Sequence, residues 1–473
     1  MSTSTTPDLS QYSPGVQDYV RRAQALVAER DEALRRMRNC RFDTLAVHGL
    51  YTMQEALDRN QGSIIEPVYQ STSEHYASAD AMEAALAYLV PTWCYARIAN
   101  PTTYYLEWML ALLEGYGTGL ETNAVVTSSG MAAIMTAVDP FLVKRTSDPA
   151  ERMNFVSSCH VYGGTFQQFS IRRDRDRGHE VRWVSDVMNI DAWAARIDAD
   201  TRFLYVELPS NPTISFVDLE SLAKLAHAHG IPLIVDATVA TPALMRPLAH
   251  GADIVVHSVS KSMTSSGMGV GGVLVARKNI VSNIDNPEMK ADFASWVKFL
   301  PYRDNGPSMN PMQAMLVLND LRTLRSKMDL VSRNSQTVAE YLAAHPKVER
   351  VDYLGLPDNP KHAVASKYMT LVDAELDNGG APVNRYGHLL SFRVKGGGEA
   401  TRRVFDAFTM IWRATDLGRI KSVATIPAIS THQQQGEEAR AMADVPPNLI
   451  RLNVGGEHPD DIIADLERGL RKA

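Results

Sequence analysis

The chain has 473 residues, 45% of them hydrophobic, which is enough for two or three domains of the usual size of roughly 100–150 residues. Its 48 Lys and Arg residues against 54 Asp and Glu residues give a net charge of -6, which excludes a basic field for nucleic acid or anionic membranes. No run reaches the ~18 apolar residues of a membrane span, and Cys40, Cys94 and Cys159 lack the spacing of a disulfide framework or a zinc site. We therefore expect a soluble protein of a reducing cytoplasm that acts on small molecules, without nucleic acid, membrane or metal.

The first predicted element is an amphipathic helix near the N-terminus. Residues 1–14 are polar and are expected to fray, whereas residues 15–39 carry apolar side chains at helical spacing. These apolar positions are Val20, Ala23, Leu26, Val27, Leu34 and Met37. We expect the helix to pack on its own subunit or a neighbour, within an N-terminal extension and arm placed at 1–75.

The middle of the chain alternates between strand and helix patterns. Four short β-branched runs and one helical run follow each other: FLYVEL (203–208), DLESLAKLAHAHG (218–230), PLIVDAT (232–238), ADIVVHS (252–258) and GGVLVA (271–276). This alternation predicts βαβ units and a parallel sheet. Ligands of such sheets bind at the carboxyl ends of the strands, so Asp236 and Ser258, which each close a strand, are expected to face the site.

A second, smaller α/β domain is expected to begin near residue 310. Residues 311–344 have a long helical pattern, and the runs VERVDYLG, HLLSFRVKG and LIRLNVG then alternate with helices such as PDDIIADLERGLRK. We place the large domain at 76–305 and the small one at 306–473. No linker separates them, so the domains are expected to pack as one unit.

Three groups of residues together point to one cofactor. Lys261 follows a predicted buried strand; alone, it would most simply be a solvated surface lysine. Asp236 ends an apolar strand, where a carboxylate is costly to bury unless it meets a cation. Ser258 and Ser260 flank the lysine. Pyridoxal phosphate (PLP) offers an aldehyde for the lysine, a pyridinium for the aspartate and a phosphate for the serines.

A helix start upstream offers a second phosphate contact. In TSSGMAAIMTAV, Gly130 and Met131 open an Ala-rich helical run. Amide groups at a helix N-terminus bind anions, and a glycine lets a phosphate approach closely. Taken alone, SSG before a helix is as often a simple cap.

Eight motifs, in order along the chain, resemble one family. They are YARIANPT (95–102), LEWMLALLEG (106–115), SSGMAAI (128–134), YGGTF (162–166), ELPSNPT (207–213), IVDAT (234–238), HSVSK (257–261) and RLNVGGE (451–457). The chain resembles the Cys/Met-metabolism family of fold-type-I PLP-dependent enzymes, which includes cystathionine γ-synthase, the cystathionine and methionine lyases and O-acetylhomoserine sulfhydrylases. The resemblance implies an α/β fold with a large domain built on a mostly parallel seven-stranded sheet and a smaller C-terminal α/β domain.

The resemblance also assigns roles to residues. Lys261 matches the lysine that bonds to the cofactor and carries protons, and Asp236 matches the partner of the pyridine nitrogen. The remaining assignments are ring stacking and proton transfer for Tyr162, phosphate binding for Gly130, Met131, Ser258 and Ser260, the ring hydroxyl for Asn211, and the substrate α-carboxylate for Arg451 and Ser422. Tyr95, also a candidate for proton transfer, and Arg97 match a pair that reaches the phosphate from the neighbouring subunit. A homotetramer built from two dimers with shared sites is therefore expected.

Departures from the family pattern bear on the reaction. The lysine is followed by SMTSSGMGVGG instead of a Gly-Gly-His run, and Asp416 stands where a small polar residue is usual. Lys421 replaces a glutamate common in lyases, Gly164 replaces the cysteine of methionine γ-lyases, and THQQ (431–434) resembles sulfhydrylases. These features favour γ-replacement on O-acetyl- or O-succinylhomoserine by sulfide, a thiol or another nucleophile. The alternative is γ-elimination to 2-oxobutanoate and ammonia.

Two further alternatives are a dinucleotide-binding site and a scaffold without enzymatic activity. GMGVGG (267–272) fits G-x-G-x-x-G, but it precedes a strand instead of opening a helix, which argues against a dinucleotide site. A non-enzymatic scaffold is also conceivable. The joint presence of Lys261, Asp236, Tyr162, Arg97 and Arg451 argues against it.

Overall fold

The computed structural model describes residues 8–90, 93–145 and 151–473. The first seven residues of the expected frayed N-terminus lie outside these ranges. The strands are β1 (Thr122–Thr127), β2 (Met153–Ser158), β3 (His179–Val184), β4 (Thr201–Glu207), β5 (Leu233–Asp236), β6 (Ile254–His257), β7 (Gly272–Arg277), β8 (Val348–Asp352), β9 (Leu389–Val394), β10 (Trp412–Arg413), β11 (Val423–Thr425) and β12 (Leu449–Asn453).

Helices surround both groups of strands. They are α1 (Pro14–Arg38), α2 (Phe42–His48), α3 (Met53–Arg59), α4 (Ala79–Leu86), α5 (Pro101–Gly115), α6 (Gly130–Val138), α7 (Gly163–Gln167), α8 (Ile190–Ala194), α9 (Leu219–Ala228), α10 (Thr241–Leu244), α11 (Pro287–Ala291), α12 (Phe293–Val297), α13 (Arg303–Asn305), α14 (Pro311–Leu321), α15 (Leu324–Ala344), α16 (His362–Tyr368), α17 (Gly397–Asp406), α18 (Gly436–Met442) and α19 (Pro459–Leu470). Within the described ranges, no helix is both long enough and apolar enough to cross a membrane.

The large sheet has seven strands in the order β1-β7-β6-β5-β4-β2-β3. Only β7 is antiparallel to its neighbours, β1 and β6. Alternate residues of each central strand enter opposite cores: Val235 packs on one face of the sheet and Ile234 on the other. Burial on both faces explains why these strands are continuous β-branched runs. The predicted mostly parallel large sheet is confirmed.

The small sheet has five strands in the order β10-β11-β12-β9-β8. Its core includes Val338 and Leu342 from the second half of α15, whereas Met328 and Val331 from the first half pack in the core of the large sheet. The helix α15 therefore joins the two cores. The predicted smaller α/β unit is confirmed, and the boundaries at 75 and 305 stay predictions.

The structure refines the prediction of the N-terminal helix and also bears on the dinucleotide-binding alternative. The predicted N-terminal helix exists as α1, but its middle is exposed: Val16 and Val20 pack on α4 at one end, and Leu34 and Met37 join the main core at the other. Residues 267–272 run directly into β7 and open no helix, so the dinucleotide-binding alternative is wrong.

Candidate active site

Two carboxylates lie side by side at the carboxyl edge of the large sheet. Glu207 ends β4, Asp236 ends β5, and the two residues are register partners on adjacent parallel strands. Ser258 follows β6, and its backbone N–H donates to the Thr238 hydroxyl at 2.8 Å. The edge expected to carry the site thus gathers Asp236 and Ser258 from separate strands, as predicted from the strand ends.

Asp236 is buried and only partly satisfied. Its Oδ1 accepts hydrogen bonds from the Thr238 N–H at 3.0 Å and the Thr238 hydroxyl at 2.6 Å. Its Oδ2 has a long contact of 3.4 Å with the Tyr205 hydroxyl. Burial raises the pKa of Asp236, against the Thr238 bonds that lower it. A cationic ring N–H is the kind of partner that would stabilise this carboxylate, which fits the pyridine nitrogen of the expected cofactor.

Glu207 is a site residue to which the sequence assigned no role. It accepts the backbone N–H of Tyr162 and that of Asn211, both at 2.8 Å. Burial and the neighbouring Asp236 carboxyl raise its pKa well above the usual range. Glu207 therefore fixes two segments predicted to contact the cofactor ring. Its place in ELPSNPT, at the end of a predicted strand, was the available signal in the sequence.

The start of α6 has the geometry expected of an anion site. Ser129 caps this nine-residue helix, and the amides of Gly130 and Met131 lie in its first turn, where no intrahelical acceptor exists. A Cβ on Gly130 would lie 2.6 Å from the Ser258 Cβ, so only glycine lets the helix start reach that serine. Two helix amides and the Ser258 side chain therefore share one place, which fits a phosphate group.

Ser260 has a different set of partners. Its hydroxyl donates to the Gly271 carbonyl at 3.0 Å and accepts the Gly271 N–H at 2.9 Å. This reciprocal pair joins the residue before Lys261 to the residue before β7 and so closes the loop between them. The assignment of Ser260 to the phosphate stays a prediction.

Lys261 lies in an ion-pair cluster. Its Nζ donates to Asp416 Oδ1 at 2.8 Å, and Arg419 binds the other carboxylate oxygen. Burial acts to raise the pKa of Asp416, but Lys261 and Arg419 outweigh it and hold this pKa below its usual value. A Cβ on Gly418 would lie 2.6 Å from the Lys261 carbonyl carbon, so the 416–418 segment packs directly on the lysine backbone.

Arg451, at the centre of the small sheet, is fully buried. It donates to Asn211 Oδ1 at 3.1 Å and to the carbonyls of Thr415 at 3.1 Å and Asp416 at 2.6 Å. Its Nε is buried without a partner. Burial lowers the pKa of Arg451 to about 10, so the guanidinium is charged at neutral pH. A substrate carboxylate fits both the charge and the unused donor.

Ser422 binds other groups of the protein through both its backbone N–H and its hydroxyl. Its N–H and its hydroxyl donate to Glu457 at 2.7 and 3.0 Å, and the hydroxyl accepts the Gly455 N–H at 3.0 Å. Its predicted contact with the substrate carboxylate stays a prediction. Lys421, beside it, lies with its Nζ 5.0 Å from the centroid of the Trp412 ring.

The aromatic candidates are accessible. Tyr162 is 39% exposed and Tyr95 46% exposed, and the Arg97 guanidinium lies 5.4 Å from the centroid of the Tyr95 ring. Arg97 also donates to the Arg303 carbonyl. The structure thus keeps Tyr95 and Arg97 together on the surface, and it keeps the Tyr162 ring free to meet a ligand.

The comparisons with known proteins agree with this geometry. The family model described as Cys/Met metabolism PLP-dependent enzyme matches residues 43–471. The chain belongs to this family. An O-succinylhomoserine sulfhydrylase of Pseudomonas aeruginosa is 34% identical over 429 residues, which cover 91% of this chain and 95% of the relative. An L-methionine gamma-lyase of Fusobacterium nucleatum subsp. polymorphum is 34% identical over 413 residues, covering 87% and 94%.

A solved structure also matches over 91% of this chain. It is a Campylobacter jejuni protein assigned as an O-acetylhomoserine (thiol)-lyase, with a TM-score of 0.80 and 32% identity over 91% of this chain and all of that one. That structure carries a pyridoxyl-lysine phosphate residue. As a member of the Cys/Met metabolism family, this chain is a PLP-dependent enzyme that catalyses γ-replacement or γ-elimination. The partly satisfied Asp236, the α6 start and the unused donor of Arg451 fit the cofactor and its amino-acid substrate.

Proposed function

We propose that the enzyme replaces the γ-substituent of an O-acylated homoserine with sulfide, a thiol or another nucleophile. Sulfhydrylases among its relatives support this reaction, as does a homocysteine synthase of Schizosaccharomyces pombe that is 33% identical. The methionine lyases among its relatives have similar identity and make γ-elimination the second candidate. Both reactions begin with the same proton transfers, so pocket residues must separate them.

The position of the sulfhydrylase-like segment, residues 431–434, is the observation that most directly supports this proposal. A Cβ on Gly163 would lie 1.9 Å from the Thr431 carbonyl oxygen, so residues 431–434 pack directly on the Tyr162 turn. The Gln167 side chain donates to the Gln434 carbonyl at 2.8 Å. The segment therefore borders the residue expected to stack on the cofactor, where it can shape the space for a second substrate.

Gly164 supports the same conclusion. A Cβ there would lie 2.5 Å from Cε1 of Tyr162, so the ring rests against the bare backbone. A cysteine at this position, as in methionine γ-lyases, would displace the ring. Lys421 supports the proposal less than expected from the sequence, because its amine lies over the exposed Trp412 ring.

Each residue of the site has a separate role in the proposed reaction. PLP, when bound, supplies an electron sink that makes protons on the substrate carbons acidic. The Lys261 Nζ would hold the cofactor, and its amine, when free, would take and return the Cα proton. Asp236 holds the ring nitrogen protonated, and Arg451 fixes the substrate carboxylate. The Tyr162 hydroxyl, with Tyr95 as a second candidate, moves a proton near the leaving group.

We also propose that the site is completed by a second subunit, in a dimer that pairs into a tetramer. Tyr95 and Arg97 lie on the surface, and a backbone bridge from Tyr95 to Ser73 ties them to the N-terminal arm, which carries strongly exposed apolar side chains. Ile64 is 91% exposed, Met53 86% and Leu57 70%. Apolar side chains exposed to this degree in one arm are typical of a surface that a neighbouring subunit covers.

Product partition tests the reaction. With O-acetylhomoserine, and separately O-succinylhomoserine, the enzyme is assayed without nucleophile and then with sulfide, methanethiol, cysteine and an amine. We expect a γ-substituted amino acid to dominate at saturating concentration of at least one nucleophile. Predominance of 2-oxobutanoate and ammonia with every nucleophile would identify a γ-lyase instead.

A further inference from the structure

Asp416 is a departure from the family pattern that contacts the reactive lysine. Family members usually carry a small polar residue at this position, whereas here a carboxylate lies 2.8 Å from the Lys261 Nζ. Both side chains are mostly buried, with 29% of Lys261 and 28% of Asp416 exposed. An ion pair in such a setting is screened less than a surface pair, so Asp416 attracts a positive charge on the lysine nitrogen more strongly than a solvated carboxylate would.

The second departure, the loop at 262–270, belongs to the same network. Arg419 binds Asp416 and also donates to the Thr264 carbonyl at 3.1 Å. The Ile420 N–H donates to the Ser265 carbonyl at 3.2 Å. The altered loop thus anchors Arg419, and Arg419 holds Asp416 from the side opposite Lys261. One chain of contacts joins both departures to the lysine.

The other charged groups around this pair are mostly cations. Arg451 donates to the Asp416 carbonyl, and Lys327 donates to the carbonyls of Ser262 and Gly418 at 2.8 and 2.7 Å. Burial lowers the pKa of Lys327 to about 7 and that of His388, which contacts Ser262, to about 3. The carboxylate of Asp320 binds Ser266, at the exposed end of the loop. Among the described residues, Asp416 is therefore the carboxylate that offsets the charges of Arg419 and Arg451 beside the lysine.

We propose that Asp416 is a positioning residue that holds the Lys261 nitrogen in the site and keeps it protonated over a wider pH range. The proposal rests on the proposed role of Lys261. While the nitrogen is bonded to the cofactor, the carboxylate stabilises its protonated form. After the substrate amine has displaced the lysine, Lys261 takes the Cα proton and becomes an ammonium that pairs with Asp416. The same proton returns to Cα at the end of the cycle.

The test is a pH titration of the visible absorbance of the substrate-free holoenzyme, which reports protonation of the lysine nitrogen bonded to the cofactor. Asp416→Asn keeps the shape and removes the charge. An opposite charge in close contact shifts a pKa by roughly 1–3 units, so we expect the titration midpoint to fall by about one unit or more. Asp416→Glu should leave it nearly unchanged. Asp285→Asn, a change at an exposed aspartate outside this network, should not move it.

The outcomes of this experiment distinguish a wrong role for Asp416 from a wrong assignment of Lys261. An unchanged midpoint in an Asp416→Asn enzyme that carries a full complement of cofactor would overturn the proposal. If that variant does not fold, Asp416→Ser, the kind of residue usual in the family, serves instead and should lower the midpoint likewise; an unchanged midpoint there also overturns it. If the absorbance band persists in Lys261→Ala, the assignment of Lys261 is wrong and the proposed site fails with it.

Discussion

Replacing Arg451 with lysine tests two proposed roles of this residue, binding of the substrate carboxylate and stabilisation of the small sheet. The guanidinium gives hydrogen bonds to one amide oxygen and two backbone carbonyls while its Nε stays unused. A lysine keeps the charge but has no planar fork, so it cannot serve these acceptors and grip a carboxylate together. Arg451→Lys should therefore lower both substrate affinity and stability.

The magnitudes follow from the bonds that are lost. Hydrogen bonds to charged groups contribute about 1.5–3 kcal/mol each, so loss of the Nε hydrogen bond to the carboxylate removes about that much. At 1.36 kcal/mol per tenfold change, kcat/KM should fall by about 10- to 100-fold. Inside the fold, buried acceptors left without a donor cost about 1–3 kcal/mol each, so two of them lower the free energy of unfolding by about 2 kcal/mol or more.

The assay compares Arg451→Lys with a matched variant, Arg393→Lys. Arg393 lies on the neighbouring strand β9, also has a buried Nε without a partner, and pairs with Asp444 at 2.6 Å. Both variants should lose stability in denaturant unfolding, but only Arg451→Lys should lose kcat/KM with O-acetylhomoserine. A folded Arg451→Lys enzyme whose kcat/KM equals that of Arg393→Lys would refute the role of Arg451.

Three further predictions concern the lysine, the subunit contact and acid stability. Lys261→Ala and Lys261→Arg should abolish turnover while circular dichroism shows the native fold; wild-type turnover in either would contradict the assignment. Mixing inactive Arg97→Ala with inactive Lys261→Ala subunits should restore some activity, because a hybrid dimer has one intact site; no recovery despite demonstrated subunit exchange would argue against a shared site. Burial lowers the pKa of His432 to about 4, so between pH ~6.5 and 4 the unfolded chain binds a proton that the folded chain does not. As the pH is lowered through this window, the free energy of unfolding should therefore decrease, by up to about 3 kcal/mol from this group. In denaturant titrations at a series of pH values, His432→Asn should show a smaller decrease. Equal decreases in the two proteins would exclude the histidine as a cause.

The large sheet was predictable because its strands are buried on both faces. Continuous β-branched runs such as residues 203–208 and 232–238 are typical of that environment, and they fall on β4 and β5. Since parallel strands bring their carboxyl ends to one edge, the sequence also placed Asp236 and Ser258 together. The break that divides the predicted 311–344 helix into α14 and α15 was not predictable, because the apolar spacing continues through it.

The contacts that complete the site could not be predicted from local pattern. Asp416 meets Lys261 across 155 positions of the sequence, and Arg451 meets Asn211 across 240. No helical or strand periodicity encodes such pairs, which depend on how the two sheets are placed. The role of Glu207 was closer to prediction, because one further fact, its register with Asp236, would have placed it in the site. That register depends on which strands pair, and a single sequence does not determine the pairing.

The small sheet does more than carry Arg451, the proposed ligand of the substrate carboxylate, because its central strands also hold the loop that carries Asn211. Arg451 on β12 and Ser391 on β9 are register partners, and they donate to Asn211 Oδ1 at 3.1 Å and to the Pro212 carbonyl at 2.5 Å. On the large-sheet side, Glu207 accepts the Asn211 N–H. Asn211, the proposed contact of the cofactor's ring hydroxyl, is thus held from both sheets. A shift of Arg451 toward a bound carboxylate would change its hydrogen bond to Asn211, so the proposed carboxylate contact and the proposed ring contact would be coupled through the Asn211 amide.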